Sequence, residues 1–417
     1  MEYIGIDIGF NNCCAGIYKN NRVEIISDYY RGDKLVPFVI SFYEKEIVVG
    51  TPGEYLMKRN PKNRIYGIRK LLGKKFNDPQ VQNFMKTVPY NIEKDLNSDK
   101  INIVVEYEGE IKKYFPEDLY TMILKKLKHN AEHLSDKEIK NVVLTVPTYF
   151  NEKQFELIEN VCKIVGFENI KLIYEPIAAC IADDKLNGER NILVFSMGSN
   201  ELDISIIELK NKKFKILGTS HDDFGGDDFT NLLLQYNINK FKEYTNIDIS
   251  NNKKAIEKLR EECEKAKCAL SWVNECIIGI DCLANGEDYC INIHRLDFDY
   301  LCEDLFDKCI FHIKKALESS KLKESDIDNI ILARGSSRIP KIKEIIEDYF
   351  QGHPYFNLDI NPEEIYAYRA TIGGALINNE LGTNLSFEID NIKDIFITRN
   401  EKIPCKREID ETEIKKI

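Results

Sequence analysis

Five short segments of the chain combine tight turns with carboxylate, hydroxyl or basic side chains. In chain order they are Gly5-Ile6-Asp7-Ile8-Gly9, Val146-Pro147-Thr148-Tyr149-Phe150-Asn151, Tyr174-Glu175-Pro176-Ile177-Ala178-Ala179, Phe224-Gly225-Gly226-Asp227-Asp228-Phe229 and Gly335-Ser336-Ser337-Arg338-Ile339-Pro340-Lys341. Small residues at a turn let backbone N–H groups approach an anion closely, and carboxylates suit a hard cation. Each segment alone is weak evidence for a site. The five together, in this order, indicate a site that holds a nucleotide.

The elements that must position these segments follow a strand–turn–strand design that occurs twice. Residues 3–8 and 13–18 are predicted strands on either side of the turn Gly9-Phe10-Asn11-Asn12. Much later in the chain, strands Asn191–Phe195 and Leu202–Leu209 flank the turn Ser196–Glu201. A single recurrence is modest evidence for a repeat, but a duplicated lobe would explain it.

Helices and further strands alternate between and after these turns. Helices are predicted from Pro116 to about Leu134, from the cap Asn151 to about Val165, over Lys254–Ser271, from Pro340 onward and over Ile365–Ile377. Pro at a first helical turn and the Asn151/Gln154 pair are helix-start signals. Asn141–Val146 and Asn329–Ala333 are predicted strands. Such a mixture indicates an α/β protein.

Composition narrows the classes of function. The 417 residues carry a formal net charge of −11, and 30% of them are charged. That length suggests two or three structural units, and the acidic balance argues against nucleic acid as a partner. The chain starts without the features of a signal peptide, and no apolar run reaches the roughly 20 residues that span a bilayer. Twelve cysteines without a CxxC spacing are interpreted as thiols of a reducing compartment, so we expect a cytoplasmic protein without membrane contact.

The five segments resemble the nucleotide-binding domain of Hsp70 chaperones, in the actin, hexokinase and Hsp70 ATPase superfamily. The resemblance runs from Met1 to about Asn379 and includes Asn60-Pro61-Lys62-Asn63 and Asn361-Pro362-Glu363-Glu364. It implies an actin-like ATPase fold of the α/β class, with two lobes of two subdomains each around a nucleotide cleft. Lobe I would be 1–187, with subdomain IB at about 37–114. Lobe II would be 188–380, with subdomain IIB at about 227–303, and 381–417 would be a vestigial start of the substrate-binding β-domain or a tail.

The same resemblance implies roles for individual residues toward ATP or ADP and Mg²⁺. Asp7, Glu175 and Asp203 match acids that hold magnesium through waters, and Arg69, Glu175 and Asp203 match the catalytic positions. The residues that match nucleotide-binding positions are Gly9, Asn11, Gly198, Gly225, Gly226, Glu264, Lys267, Ser271, Gly335, Ser336, Arg338 and Glu363. Glu264 and Lys267 also form an i,i+3 helix pair that needs no ligand.

Departures from the family pattern concentrate in the two phosphate turns. Phe10 and Asn11 stand where the family has two threonines, and a phenyl ring cannot donate a hydrogen bond to a phosphate. Arg69 replaces the catalytic lysine, which is not a conservative change where a compact ammonium must fit. Ser196 replaces an acid that orients water, and Glu201 replaces a threonine. A carboxylate about 4 Å from a phosphate charge would cost roughly 4 kcal/mol at an effective dielectric near 20. These losses predict weak or absent hydrolysis.

Further departures affect the adenine side and communication between domains. Cys268 replaces a second arginine, and Arg334 and Arg369 replace glycines. Arg69 and Arg334 could each supply positive charge near a nucleotide. Phe155 replaces the arginine that partners Pro147 in the family's interdomain relay, and the acidic linker is missing. The segment 385–409 faintly resembles the first strands of the peptide-binding sandwich.

Two main functions follow from the resemblance and these departures. The first is an atypical chaperone or co-chaperone in protein folding and stress response. It would bind a J-domain protein, a conventional Hsp70 or a ribosome-associated complex. The second is a slow magnesium-dependent ATPase in which Glu201 or Glu175 takes over water activation. A sugar- or acetate-kinase relative, and a filled cleft that binds no ligand, are further alternatives.

Overall fold

The computed structural model describes residues 2–28, 31–55, 60–181, 188–211, 213–378 and 396–397. Its strands in the first half of the chain are β1 Tyr3–Ile8, β2 Asn12–Lys19, β3 Arg22–Ile25, β4 Val36–Pro37, β5 Ile40–Tyr43, β6 Glu46–Val49, β7 Arg64–Ile65, β8 Asn91–Lys94, β9 Ile101–Tyr107, β10 Glu110–Tyr114, β11 Asn141–Val146 and β12 Asn169–Tyr174. The later strands are β13 Arg190–Met197, β14 Leu202–Lys210, β15 Lys213–Asp222, β16 Glu275–Ala284, β17 Glu287–His294, β18 Asn329–Ala333 and β19 Tyr355–Asn357.

The helices begin where the sequence supplies start signals. They are α1 Thr51–Tyr55, α2 Pro79–Met85, α3 Pro116–Ser135, α4 Glu152–Val165, α5 Glu175–Cys180, α6 Gly226–Thr245, α7 Lys253–Leu270, α8 Arg295–Leu301, α9 Glu303–Ser320, α10 Pro340–Tyr349 and α11 Ile365–Ile377. Asn151 caps α4, since its side chain accepts a hydrogen bond from the Gln154 backbone and Gln154 reciprocates. Within the described residues, no helix is both long enough and apolar enough to cross a membrane.

The chain divides into two compact units. The first contains the described residues of 1–190, 207–216 and 359–403, and the second contains those of 191–206 and 217–358. The predicted lobe and subdomain boundaries stay predictions.

The main sheet of the first unit has the strand order β12-β11-β1-β2-β3, with β4 beside β2. β1 runs parallel to β11 and antiparallel to β2, and every residue of β1 and β11 is buried. Helix α11 packs on β1, and the contact is so close that a Cβ atom at Gly5 would lie 2.2 Å from the Thr371 amide nitrogen. Glycine at position 5 is therefore required by the approach of this helix.

The sheet of the second unit has the strand order β15-β14-β13-β18-β19, with β13, β18 and β19 parallel. Its core includes side chains from β13 and β14 and from α6, α7, α9 and α10. Leu193, Phe195, Phe229, Leu259 and Ile313 in this core have no exposed surface.

The predicted elements agree with these bounds to within one or two residues, and Asn141–Val146, Asn329–Ala333 and Ile365–Ile377 agree at both ends. The α/β class and the strand–turn–strand design of both sheets are confirmed. Of the segment 385–409, only Phe396 and Ile397 fall within the described residues. Residues 379–395 and 398–417, which include all but Asn378 of the segment at the linker position, lie outside the described residues.

Candidate functional site

The turn between β1 and β2 places Asp7 and Gly9 at the end of the first sheet. The Gly9 amide donates to the Asn12 carbonyl at 2.9 Å, which closes the turn. Asp7 is 2% exposed, and its Oδ1 accepts a hydrogen bond from Thr145 Oγ1 at 2.7 Å. Because Thr145 lies on the neighbouring strand β11, the sheet itself orients the Asp7 carboxylate.

Phe10 is a packing residue of this turn. Its ring is largely buried and lies edge-on to Phe84 with centroids 6.3 Å apart. A Cβ atom at Gly67 would lie 2.9 Å from the Phe10 ring, and the Gly67 backbone has a positive φ of 68°. Position 67 therefore needs glycine both for its conformation and for the space that Phe10 fills. The Asn11 carbonyl accepts from the Phe38 amide at 2.7 Å.

Arg69 and Glu175 form a buried ion pair in the first unit. Arg69 Nη2 lies 2.8 Å from Glu175 Oε1, and the side chains are 3% and 4% exposed. Arg69 Nη1 donates to the Ile8 carbonyl at 3.0 Å, and its guanidinium lies 6.0 Å from the Phe150 ring centroid. The pair thus links the 3-10 turn Ile68–Lys70 to the first residue of α5 and to the end of β1.

In the second unit, the turn 198–201 packs directly on the start of α6. The Gly226 and Asp227 amides donate to the carbonyls of Gly198 and Ser199 at 2.9 and 2.7 Å. The Gly225 amide donates to the Asp228 carboxylate at 2.8 Å. Amides at a helix N-terminus are the usual donors to a bound phosphate. Here those of Gly225, Gly226 and Asp227 have acceptors within the protein.

Glycine is required at the contact between this turn and α6. A Cβ atom at Gly225 would lie 2.6 Å from the Gly198 carbonyl oxygen and 2.8 Å from the Asn200 amide. A Cβ atom at Gly226 would lie 2.3 Å from Ser336 Oγ and 3.0 Å from Lys267 Nζ. Gly225 therefore lies against the backbone of the turn 198–200, and Gly226 lies against the side chains of Ser336 and Lys267.

Asp203 is engaged by a residue that the sequence did not single out for it. His221 Nδ1 lies 2.8 Å from Asp203 Oδ1. Burial alone would lower the pKa of His221, but Asp203, with smaller effects from Glu201 and Asp223, raises it above its usual value. Glu201 and Ser196 are themselves buried. The sequence analysis did not connect these two residues, because the sequence does not show which residues of β14 and β15 lie side by side.

A second buried histidine lies nearby on α9 in the same unit. His312 Nε2 is 2.9 Å from Asp222 Oδ2, and its Nδ1 is 2.8 Å from Ser220 Oγ. Burial lowers the pKa of His312, although Asp222 opposes that shift. Lys308 contacts the same Asp222 carboxylate at 2.9 Å.

The predicted ribose and adenine residues on α7 are held by the start of α6. Lys267 is 6% exposed, and its Nζ donates to the Gly226 carbonyl at 2.9 Å and to Glu264 Oε2 at 2.7 Å. Thr230 donates a short hydrogen bond to the same Glu264 oxygen. Burial opposes ionisation of Glu264, but Lys267 and Thr230 hold its pKa below the usual value.

The 3-10 turn Gly335–Arg338 carries the remaining predicted adenine residues. The Arg338 guanidinium lies 5.6 Å from the ring centroid of Trp272, which is 74% exposed. Trp272 directly follows Ser271, the residue that caps α7. Cys268, at the position of the family's second arginine, places its thiol 3.5 Å from Glu264 Oε1. An aromatic ring and a guanidinium on one side can both contact a flat base.

Arg334, one of the glycine replacements, keeps a backbone conformation that favours glycine. Its φ is 70° and its ψ is 161°, a region in which a Cβ atom is strained. A Cβ atom at Gly198 would lie 3.7 Å from Arg334 Cδ, so the arginine stem lies beside the second phosphate turn. The other replacement, Arg369, is buried in α11 and donates to the Ile181 carbonyl at 2.8 Å.

Glu363, the last of the predicted nucleotide-binding residues, lies just before α11. Its amide donates to Asn361 Oδ1 at 3.0 Å.

The structure thus brings the predicted residues together in two groups, one in each unit. In the first, Arg69 contacts Glu175 and the carbonyl next to Asp7. In the second, Gly198, Gly225, Gly226, Lys267, Glu264 and Ser336 form a continuous set of contacts. The roles assigned to these residues stay predictions.

The ATP and magnesium implied by the resemblance can be tested against these contacts. The α7 side fits a nucleoside, because Glu264, Lys267, Ser271 and Arg338 present polar and stacking groups beside Trp272. The phosphate side does not fit, because the amides at the start of α6 already donate within the protein. Among the described residues, no cluster of three or more His, Cys, Asp or Glu side chains is arranged to bind a metal directly.

Comparison with known proteins identifies the family. The model of the family described as "Hsp70 protein" matches residues 3–409. The chain is 35% identical to heat shock cognate 70 kDa protein 3 of Dictyostelium discoideum, over 98% of this chain and 68% of that protein. It is 35% identical to heat shock 70 kDa protein 2 of Paracoccidioides lutzii and 36% identical to heat shock 70 kDa protein of Neurospora crassa. Those two matches cover 93% of this chain and 59% and 60% of the relatives. The chain therefore spans about three fifths to two thirds of the length of these relatives. It belongs to the Hsp70 family and has the nucleotide-binding fold of that family.

Proposed function

We propose that this chain acts in protein folding as an atypical Hsp70-family chaperone or co-chaperone whose ATP hydrolysis is weak or lost. The observation that carries the proposal is the internal bonding of the amides of Gly225, Gly226 and Asp227. Phosphoryl transfer depends on donors and cations that stabilise charge on the transferred group. Donors already bonded to the protein's own oxygens supply little of that stabilisation.

The buried pair of Arg69 and Glu175 supports the same conclusion. The guanidinium is held between a carboxylate and a backbone carbonyl, so its charge is already compensated. A lysine ammonium could turn toward a phosphate, whereas the planar guanidinium is fixed by two partners. Phe10 adds a ring where a hydroxyl donor would be needed.

Binding of an adenine nucleotide is the part of the family's chemistry that we propose to persist. Glu264, Lys267, Ser271, Gly335, Ser336 and Arg338 would hold the ribose and base, and the phosphates would add little affinity. Because the phosphates would contribute little, we expect magnesium to change the affinity little.

A protein without productive hydrolysis would act through binding partners. We propose a J-domain protein, a conventional Hsp70 or a ribosome-associated complex as the partner. The free thiols among the described cysteines support a reducing compartment, and we propose the cytoplasm. The experiment is a pull-down with purified candidates of these three classes, with and without ADP.

Calorimetric titration of the full chain tests the nucleotide proposal. Adenosine, ADP and ATP should bind with dissociation constants that agree within about tenfold, with or without magnesium, because the phosphates make few new contacts. A tenfold difference in dissociation constant would correspond to about 1.4 kcal/mol of phosphate contacts. The variant Arg338→Ala should weaken all three ligands equally, and Lys242→Ala, at an exposed residue near the other end of α6, should weaken none. ATP binding that is far tighter than adenosine binding would contradict the proposal. No heat and no thermal stabilisation would mean that the chain binds no nucleotide.

Single-turnover hydrolysis separates the main proposal from a slow ATPase. The alternative is favoured by the Asp203–His221 pair, since a carboxylate-bound imidazole is a common general base. It predicts magnesium-dependent turnover that disappears in Asp7→Ala and in Glu175→Ala. Under our proposal, the wild type should hydrolyse ATP only at the background rate. Ser196→Asp should raise that rate if poor orientation of the attacking water is the main defect.

A further inference from the structure

The second unit contains a cavity of about 450 Å³ outside the nucleotide residues. It lies between α6, α8, the end of β17 and the start of α9. Leu233, Ile293 and Phe298, each at most 2% exposed, form its apolar floor. This volume is in the range of pockets that bind a small ligand or a few side chains of a peptide.

Three exposed carboxylates form the rim of this cavity. They are Asp297 on the first turn of α8, and Glu303 and Asp304 on the first turn of α9. In the part of the chain that the structure describes, none of the three is in an ion pair or accepts a hydrogen bond from a side chain. Acids on a first helical turn stabilise the helix through its dipole, which explains their position on each helix. It does not explain why all three surround one apolar cavity.

Exposed apolar side chains extend the cavity outward. Tyr300, which lines the cavity, is 82% exposed, and Leu296, one turn earlier on α8, is 81% exposed. Residues four apart on a helix share one face, so these two side chains form a continuous apolar patch. Large exposed apolar side chains with a polar rim are typical of protein interaction sites, and tyrosine is enriched at their centres.

We propose that this acidic pocket binds a basic peptide segment of a partner protein, in which an apolar side chain enters the cavity and flanking Lys or Arg residues contact the rim. The apolar floor accepts one or two aliphatic or aromatic side chains, and the unpaired acids select positive charge around them. A nucleic acid is disfavoured because the same acids repel phosphates. A second copy of this chain is disfavoured by its net charge of −11. The inference does not depend on the proposed loss of hydrolysis.

Fluorescence anisotropy with the full chain and three labelled 12-residue peptides tests the proposal. The first peptide carries a Leu-Phe pair flanked on both sides by Arg, the second replaces each Arg by Glu, and the third replaces the Leu-Phe pair by Ser-Ser. Only the first peptide should bind with a micromolar dissociation constant, and its affinity should fall with added salt. Equal binding of the three peptides, or no binding of the first below 1 mM, would overturn the proposal.

Variants locate the peptide. The double change Glu303→Gln with Asp304→Asn should weaken the first peptide by about fivefold or more, as expected for loss of exposed ion pairs. The matched control Glu318→Gln neutralises an exposed acid near the other end of the same helix, and it should leave binding unchanged. Tyr300→Ala should also weaken binding, and its melting temperature should match that of the wild type because this side chain is 82% exposed. Unchanged affinity in Tyr300→Ala, or a dimer that Tyr300→Ala dissociates, would overturn the proposal.

Discussion

Arg69 Nη2 lies 2.8 Å from Glu175 Oε1, although 106 positions separate the two residues in the chain. Both side chains are almost completely buried, so the attraction between them compensates a large desolvation cost. The pair consequently stabilises the first unit only while both charges are present. Removal of one partner leaves a charge in a site that water cannot reach.

The first prediction follows from that dependence. Glu175→Leu should lower the free energy of unfolding by about 3 kcal/mol or more, because Arg69 would remain buried without its carboxylate. The double variant Arg69→Met with Glu175→Leu should recover most of that loss. Urea denaturation followed by circular dichroism measures both. A double variant as unstable as the sum of the two single variants would contradict this description.

The second prediction concerns the strained backbone at Arg334. Arg334→Gly should raise the free energy of unfolding by about 1 kcal/mol, since glycine adopts a φ of 70° and ψ of 161° without strain. Arg334→Ala is the matched control, because it removes the same side chain and keeps the Cβ atom. Thermal melts should place the glycine variant above the alanine variant. Equal melting temperatures would show that the conformation carries no strain.

The third prediction tests the contact between the second phosphate turn and α6. Gly225→Ala should destabilise the second unit by about 1–3 kcal/mol, because its Cβ would lie 2.6 Å from the Gly198 carbonyl oxygen. Gly279→Ala on β16 is the control, since the nearest atom to its Cβ would be 3.9 Å away. Chemical denaturation of both variants gives the comparison. If both glycines tolerate alanine equally, the turn is less closely packed than the structure indicates.

The fourth prediction is a dependence of stability on pH. Because burial lowers the pKa of His312 in the folded state, the unfolded chain binds a proton at this residue more readily. Neutral His312 therefore contributes to the free energy of unfolding at neutral pH. That contribution falls as the pH drops below about 6.5, the pKa of an ordinary histidine. Asp222, Ser220, Lys308 and Lys315 are the polar and charged groups around the ring.

Melting temperatures at pH 7.5 and pH 5.5 test that dependence. The wild type should lose more stability on acidification than His312→Gln, which cannot take up the proton. His129→Gln, which removes an exposed histidine of α3 in the first unit, should behave as the wild type does. A variant His312→Gln that is as sensitive to acid as the wild type would contradict the prediction.

The sequence predicted local structure well because helix caps and strand patterns are local. Asn151 with Gln154 fixed the start of α4, and β-branched residues fixed β11.

The partners within those loops could not be predicted. The Asp203–His221 pair depends on two strands being adjacent, and the Arg69–Glu175 pair depends on how a 3-10 turn meets α5. The sequence shows that Arg334 replaces a glycine. It does not show whether the backbone at this position keeps the conformation that favours glycine. Residues far apart in the chain meet through packing, which a linear pattern does not encode.

The close fit of α11 on β1 has a consequence for synthesis. β1 is translated before residues 191–358, yet the helix that covers Gly5 comes from Ile365–Ile377. The described residues of the second unit are translated before the first unit can be completed. A nascent chain must therefore keep one face of the sheet that contains β1 uncovered until α11 has been made. A message cut short before Ile365 would release a product with that face still open to aggregation.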